Sequence, residues 1–346
     1  MRVTTSYLTR NYLNNANKVL KSYNASNERL TSGRAFTRVS QNISGGKKAL
    51  TIRTQIYQNA QYQKNVETVS EELDVVESSL MAIQEVLQTA GETAIRANGV
   101  QNADSKATLA AALGGLKETV IQTANSSYVN KNVLGGTNTG DLPFAVDDNG
   151  RLLFNGSRVD SITQQDDLFY DQNGEVVEMS SDVYVDIGLG IRMNGDVIDD
   201  RSVYKVSFSG LEALGYGSTD LTYTDKEGNE QTVTASNNVY DLLTQMQDAI
   251  LEDDMAKLGK LNDHLTDGLD NVLSTISEIG IKQSYLETKL AILQDEEVSL
   301  ATQQSELEGV DDTEEIIKYN EYKYSWMLTL QFGSNVLPQS LMDFIQ

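Results

Sequence analysis

Residues 62–94 read YQKNVETVSEELDVVESSLMAIQEVLQTAGETA. The stripe Tyr62, Val66, Val69, Leu73, Val76, Leu80, Ile83, Leu87, Ala90 and Ala94 alternates steps of four and three. That rhythm places the side chains on one face of a helix, and over several heptads such a face has to be covered by another helix. A matching stripe lies far downstream at Leu265, Leu269, Val272, Ile276, Ile279, Gln283, Leu286, Leu290, Leu293, Glu297, Leu300, Gln304 and Leu307. At ~1.5 Å per residue it predicts a helix on the order of 60 Å long. Gln283, Glu297 and Gln304 interrupt the stripe; either they meet solvent, which is the default, or they fix register as polar core positions can.

Working outward, the N-terminal arm repeats the pattern at Tyr12, Ala16, Val19, Tyr23, Ser26 and Leu30. After Asn98-Gly99, a third helix is expected through Leu109, Leu113, Leu116 and Val120. Predicted rod helices therefore cover 54–98, 104–127 and 240–308. Glu308-Gly309 breaks the downstream pattern, and Asp312-Thr313-Glu314-Glu315 fits a cap with an acidic first turn. A last helix carries Ile316, Met327, Leu330, Leu337, Leu341 and Phe344 as its expected seam, flanked by Tyr319, Tyr322 and Trp326. Pro338 predicts a kink there, because proline removes an amide donor.

Between these helical parts, residues 140–237 turn rich in Gly, Asp and Asn. Short β-prone runs at 151–154, 168–170, 183–187, 203–208, 221–223 and 231–234 are separated by Asp148-Asn149-Gly150, Gln172-Asn173-Gly174, Asn194-Gly195 and Glu227-Gly228-Asn229. Residues 223–232 read as a hairpin. The expected fold is mainly α with an inserted β-rich domain, its long N- and C-terminal helices forming an antiparallel coiled-coil or helical-bundle rod.

Composition agrees. Of 346 residues only two are proline, where about 5% usage would give roughly seventeen, so long helices are permitted. The formal charge of -23 argues against nucleic acid or an anionic membrane as the main partner. That charge is uneven: residues 1–53 carry ten bases and one acid for +9, residues 54–310 carry -28, and residues 311–346 carry -4. A basic arm on an acidic body binds an anionic surface or faces the protein's own acidic parts; its helical patterning favours the second. No cysteine is present, which removes thiol nucleophiles, thiolate metal sites and disulfides. Mean hydropathy is -0.37, and no apolar run approaches the ~18 residues of a membrane span. The N-terminus is not patterned as a cleaved signal peptide.

Catalytic and metal constellations are not assembled by these residues. His264 is the only histidine, reads as solvated, and supports no HExxH or Ser-His-Asp set. The three acidic turns fail the calcium-loop pattern at its first position, occupied by Ala145, Phe169 and Tyr223. Asp166-Asp167 and Asp253-Asp254 read as loop pairs, and Gly188-Leu189-Gly190 lacks the third glycine of a dinucleotide turn. No cofactor is expected.

Two terminal segments carry a family likeness. Glu28-Arg29-Leu30-Thr31-Ser32-Gly33-Arg34, followed by Val39-Ser40, and the stretch Asn335-Val336-Leu337-Pro338-Gln339-Ser340-Leu341-Met342-Asp343-Phe344-Ile345 resemble the terminal motifs of the flagellin superfamily. Val183-Tyr184-Val185-Asp186-Ile187-Gly188-Leu189-Gly190, and Asn238-Val239-Tyr240-Asp241-Leu242-Leu243 ahead of Gly268-Leu269-Asp270-Asn271-Val272-Leu273, are similar to its hook-associated branch. The chain departs from the family at Ser40-Gln41-Asn42-Ile43, where acidic residues are usual.

This resemblance implies a non-enzymatic structural subunit at the junction of hook and filament, or alternatively the main filament subunit. It implies terminal helices, 1–45 and 309–346, that form an inner core on assembly; a helical rod, 46–139 and 238–308; and an outer β domain, 140–237. Assembly residues would be Tyr12, Val19, Tyr23, Arg29, Leu30, Ser32, Gly33, Arg34, Arg38, Met327, Leu330, Val336, Pro338, Gln339, Leu341, Phe344 and Ile345. The rod core would be Leu73, Val76, Leu80, Ile83, Leu87, Val272, Ile276, Ile279, Leu286, Leu290 and Leu293. Implied partners are further copies of the chain, a neighbouring junction protein on the hook side, flagellin or a capping protein on the filament side, and an export chaperone. The implied location is the extracellular flagellum, reached through type III export. Competing expectations are an enzyme on a helical stalk and a cytoplasmic coiled-coil scaffold.

Overall fold

The computed structural model describes residues 5–136, 140–165, 168–179, 183–195, 197–199, 202–206, 208–226 and 228–336. Its helices are α1 (Thr5–Ser32), α2 (Ile43–Asn98), α3 (Ala103–Ala124), α4 (Gly210–Leu214), α5 (Val239–Leu251), α6 (Met255–Glu308) and α7 (Asp312–Val336). The chain divides into two compact units, Met1–Ala60 with Gln294–Gln346, and Gln61–Leu293. Helices α2 and α6 contribute to both.

In the larger unit, α2 and α6 run antiparallel. Gln63 Nε2 donates to the Leu293 carbonyl at 3.4 Å, and Gln283 Nε2 donates to Asp74 Oδ1 at 2.7 Å and Glu77 Oε2 at 3.1 Å. Leu73, Val76, Leu80, Ile83 and Leu87 of α2, with Val272, Ile279, Leu286 and Leu293 of α6, are buried, while Ile276 and Leu290 pack partly buried against them. Burying each such side chain is worth about 1.5–3 kcal/mol, so the seam is a substantial part of this unit's core. Gln283 is thus not a solvent-facing interruption of the stripe: it spans to two acids of α2 and has a register-fixing geometry. Glu297 is exposed and Gln304 half-buried.

The helix expected over 240–308 is two helices. α5 ends at Leu251, Asp253 takes φ +61, and Asp254 Oδ1 accepts from the Lys257 amide at 3.0 Å, capping α6. α5 buries Val239, Tyr240, Leu242, Leu243, Met246, Ala249 and Ile250, packs on α3, and so needs a direction of its own. Asp253 pairs with Lys106 and, at 3.5 Å, with Lys226, which pins the break. A pair that reads as an ordinary acidic loop is therefore the corner between α5 and α6.

The strands are β1 (Ser127–Tyr128), β2 (Lys131–Asn132), β3 (Phe144–Val146), β4 (Leu152–Phe154), β5 (Ser157–Arg158), β6 (Thr163–Gln165), β7 (Leu168–Tyr170), β8 (Val176–Met179), β9 (Tyr184–Val185), β10 (Met193–Asn194), β11 (Val197–Ile198), β12 (Tyr204–Lys205), β13 (Ser218–Thr224) and β14 (Glu230–Ser236). They form small antiparallel sheets, β1-β2, β3-β4-β5, β6-β7-β8, β9-β12, β10-β11 and β13-β14. The longest is the β13-β14 hairpin, with Tyr223 opposite Gln231. β1 and β2 precede residue 140, earlier than the composition shift suggests. One turn is used three times: Asp147, Asp171 and Asp225 each accept the amide four residues on, from Arg151, Glu175 and Asn229 at 2.7–2.8 Å. These backbone bonds hold Asp147 and Asp171 below the ordinary carboxylate pKa.

The 183–190 segment docks on the helix pair. Asn65 Nδ2 donates to the Asp186 carbonyl at 2.8 Å, Lys289 Nζ to the Gly188 carbonyl at 3.3 Å, and Ile187 is fully buried. Gly188 has φ +79, and a Cβ there would lie 2.8 Å from the Tyr62 ring, so only glycine fits. His264 is half-buried rather than solvated; its Nε2 lies 3.1 Å from Asn237 Oδ1 and its Nδ1 3.4 Å from Asp267.

Candidate assembly interface

The smaller unit brings together the chain's two ends. α1 packs antiparallel against α7: Tyr12 Oη donates to the Thr329 carbonyl at 2.8 Å, the Tyr23 and Tyr319 hydroxyls meet at 3.0 Å with rings stacked at 5.2 Å, and Arg29 Nη2 reaches Glu315 Oε1 at 2.7 Å. Ala16 and Ser26 are buried in this seam, and Val19 and Leu30 half-buried beside it. Gly333 lets Tyr12 close in, since a Cβ there would lie 2.3 Å from the tyrosine oxygen.

On α7 the packed positions are Glu315, Tyr319, Tyr322, Trp326, Thr329 and Gly333. The expected seam of Ile316, Met327 and Leu330 is therefore displaced: these three are 49%, 51% and 54% exposed. Of the aromatic residues read as flanking, Tyr319 stacks on Tyr23, and Tyr322 and Trp326 are half-buried on the same face. Ile317, Tyr324 and Phe332 are exposed as well, as are Tyr7, Leu8 and Leu13 on α1. α7 thus carries one apolar face against α1 and a second facing outward.

Two buried acids organise the charges. Glu315 is 4% exposed and accepts from Ser26 Oγ at 2.6 Å as well as from Arg29. Burial pushes its carboxyl up, but the Arg29 and Ser26 bonds outweigh it and the net direction is down. Glu308, also 4% exposed, accepts from Arg53 Nη2 at 2.7 Å and lies 3.9 Å from Arg34 Nε. The bond to Glu308 raises the Arg53 pKa. Around it the backbone closes a short ladder: Ala35 N donates to the Glu308 carbonyl at 2.7 Å and Val310 N to the Gly33 carbonyl at 3.1 Å. Gly33, at φ +66, ends α1. α7 is capped by Asp311, one residue before the expected position, whose Oδ1 accepts the Glu314 amide at 3.1 Å.

Arg29, Arg34 and Arg53 thus spend their charge within the chain. Arg10, Lys18, Lys21, Arg38, Lys47 and Lys48 make no ion pair among the described residues. Ser32 is exposed and accepts the Arg34 amide at 3.3 Å. Arg38 donates its amide to Gln41 Oε1 at 3.1 Å and does not join the seam. Val336 ends α7, and Pro338, Gln339, Leu341, Phe344 and Ile345, with the kink expected at Pro338, lie outside the described residues. Sequence reading missed Arg53, Glu308, Glu315 and Gly333 as contact residues; the 4-3-4-3-4 spacing from 315 to 333 was a usable signal.

Paired helical ends around a β-rich middle are the architecture that the flagellin resemblance implies. Residues 3–139 match the family described as Bacterial flagellin N-terminal helical region. The chain is similar to flagellar hook-associated protein 3 of Escherichia coli K12, 23% identical over 294 residues, 84% of this chain and 83% of that protein. It is likewise 23% identical over 322 residues to hook-associated protein 3 of Salmonella typhimurium LT2, covering 92% of each. The fold is shared with the flagellar hook-associated protein-3 structure from Legionella pneumophila (TM-score 0.54, 13% identity, 74% of this chain and 98% of that one). It is shared also with the Vibrio parahaemolyticus structure assigned as a flagellar hook-associated protein (TM-score 0.58, 14% identity, 78% and 100%).

Proposed function

We propose that this chain is a structural subunit of the bacterial flagellum that joins hook to filament. The observation that carries the reading is the second apolar face of α7. Ile316, Ile317, Tyr324, Met327 and Leu330 stay exposed after α1 has packed. A helix with two apolar faces is half-assembled, and further copies of the same chain are the occupants that a repeating layer supplies.

On this reading, residues 1–45 and 309–346 form the inner core, 46–139 and 238–308 the rod, and 140–237 the outer domain. The assembly residues are those of the two terminal helices, with Met327 and Leu330 on the outward face and Tyr12, Tyr23, Arg29 and Arg34 holding the arm together. The end neighbours are a hook-side junction protein and flagellin or its cap. A chaperone would cover the arm before type III export, after which the chain resides on the cell exterior. Its role is mechanical rather than catalytic.

Antibody label on flagella tests the reading. A single band between hook and filament is expected; label along the whole filament would make the chain a filament subunit instead. A knockout that keeps its hooks and sheds flagellin monomers into the medium is the matching genetic result.

A further inference from the structure

Asp241 lies in the first turn of α5 and is 2% exposed. Its Oδ1 accepts the backbone N–H of Leu152, at the start of β4, at 3.1 Å, and its Oδ2 has no hydrogen-bond partner among the described residues. Asp160, on the turn after β5, accepts from Arg151 Nη1 at 2.7 Å and from Arg158 Nη2 at 3.0 Å, so both neighbouring guanidinium groups are engaged with it. Asp160 Oδ1 and Arg158 Nε are also buried without partners. On the α3 side, Lys117 lies over the Tyr240 ring at 5.2 Å, and Glu118 adds negative charge near that tyrosine.

Asp241 therefore closes the contact between α5 and the β3-β4-β5 meander with a carboxylate that has one bond and one empty oxygen. Burial is the largest influence on it and pushes its pKa up to about 6; the Asp160 charge works the same way, against the Leu152 amide and the two arginines. A carboxyl raised in the folded state stabilises that state when protonated, and the stability is lost as pH rises through the folded value.

We infer that Asp241 is a proton-operated latch that fastens the β3-β4-β5 meander to α5 at mildly acid pH and loosens it at neutral pH. The proton occupies the oxygen that otherwise sits buried and unbonded. Nothing else in the contact need move.

The test uses the full chain, its Asp241→Asn variant and its Asp160→Asn variant between pH 5 and pH 8. Amide exchange at Leu152 and urea unfolding followed by circular dichroism are the readouts. Relative to Asp241→Asn, the wild-type folding equilibrium constant should fall roughly tenfold over that range, and Leu152 protection with it. Parallel pH profiles for the two proteins overturn the proposal. Should Asp241→Asn fail to fold, carbon-detected NMR of the wild type decides: one aspartate carboxyl titrating near pH 6 supports the latch, and its absence overturns it. Asp160→Asn should move that titration to lower pH; an unmoved midpoint overturns the coupling.

Discussion

Arg29 and Glu315, 286 positions apart in sequence, form a 2.7 Å ion pair in which the carboxylate is almost fully enclosed. A buried acid of this kind must be satisfied, because breaking one side of the pair leaves an uncompensated charge. Glu315→Gln should therefore cost less than Arg29→Ala, which strands the acid. In a double-mutant cycle the coupling should be about 1–3 kcal/mol. Trp326, the only tryptophan, sits on the α7 seam and reports the loss by its fluorescence.

The same carboxyl gives the arm a pH dependence of opposite sign to that at Asp241. Held below its ordinary value, Glu315 adds stability that is present at neutral pH and is lost as pH falls through its folded pKa. Acid titration followed by Trp326 fluorescence should show the arm loosening below the ordinary carboxylate range, and Glu315→Gln should remove that step.

Charge reversal separates the arginines. Arg29→Glu opposes Glu315 and should release α1 from α7 in the isolated chain, and Arg34→Glu opposes Glu308 and should loosen the segment after α1 from the end of α6. Arg38→Glu faces no intrachain acid among the described residues and should leave Trp326 fluorescence unchanged while motility falls. Equal spectral effects from all three would count against this division.

Outward and inward hydrophobic positions should behave differently. Met327→Lys and Leu330→Asp should leave thermal unfolding within about 0.5 kcal/mol of wild type, yet abolish motility. Leu80→Ala, at a site with no exposure, should cost about 2–5 kcal/mol. Leu80→Asp should unfold the larger unit, and the half-buried Leu290→Asp should be milder.

Gln283→Glu would set a third carboxylate beside Asp74 and Glu77. The variant should lose about 1–2 kcal/mol at neutral pH and recover it on acidification, read by urea midpoints.

The helix pair was legible because Val66 to Ala94 repeats without a break and Leu265 to Leu293 with only Gln283 between, and the hairpin at Asp225 to Asn229 because its turn chemistry is strong. The α7 seam was not, since Glu315, Thr329 and Gly333 are polar or small and hydrophobic scoring passes over them. Asp253 hid the α5–α6 corner because a left-handed aspartate resembles any acidic loop residue in sequence. Arg29 and Arg34 could be picked from the family likeness, but their partners at 315 and 308 lie too distant in sequence for any local pattern to pair them.

The seam between α1 and α7 also makes the arm a check that α7 is present. α7 follows α1 in sequence by some 280 residues, so a product ending before residue 312 presents Tyr12, Tyr23 and Arg29 without their α7 partners. In the proposed assembly, copies that stop short of α7 would be excluded without any separate inspection, since only a chain that carries α7 can close the joint.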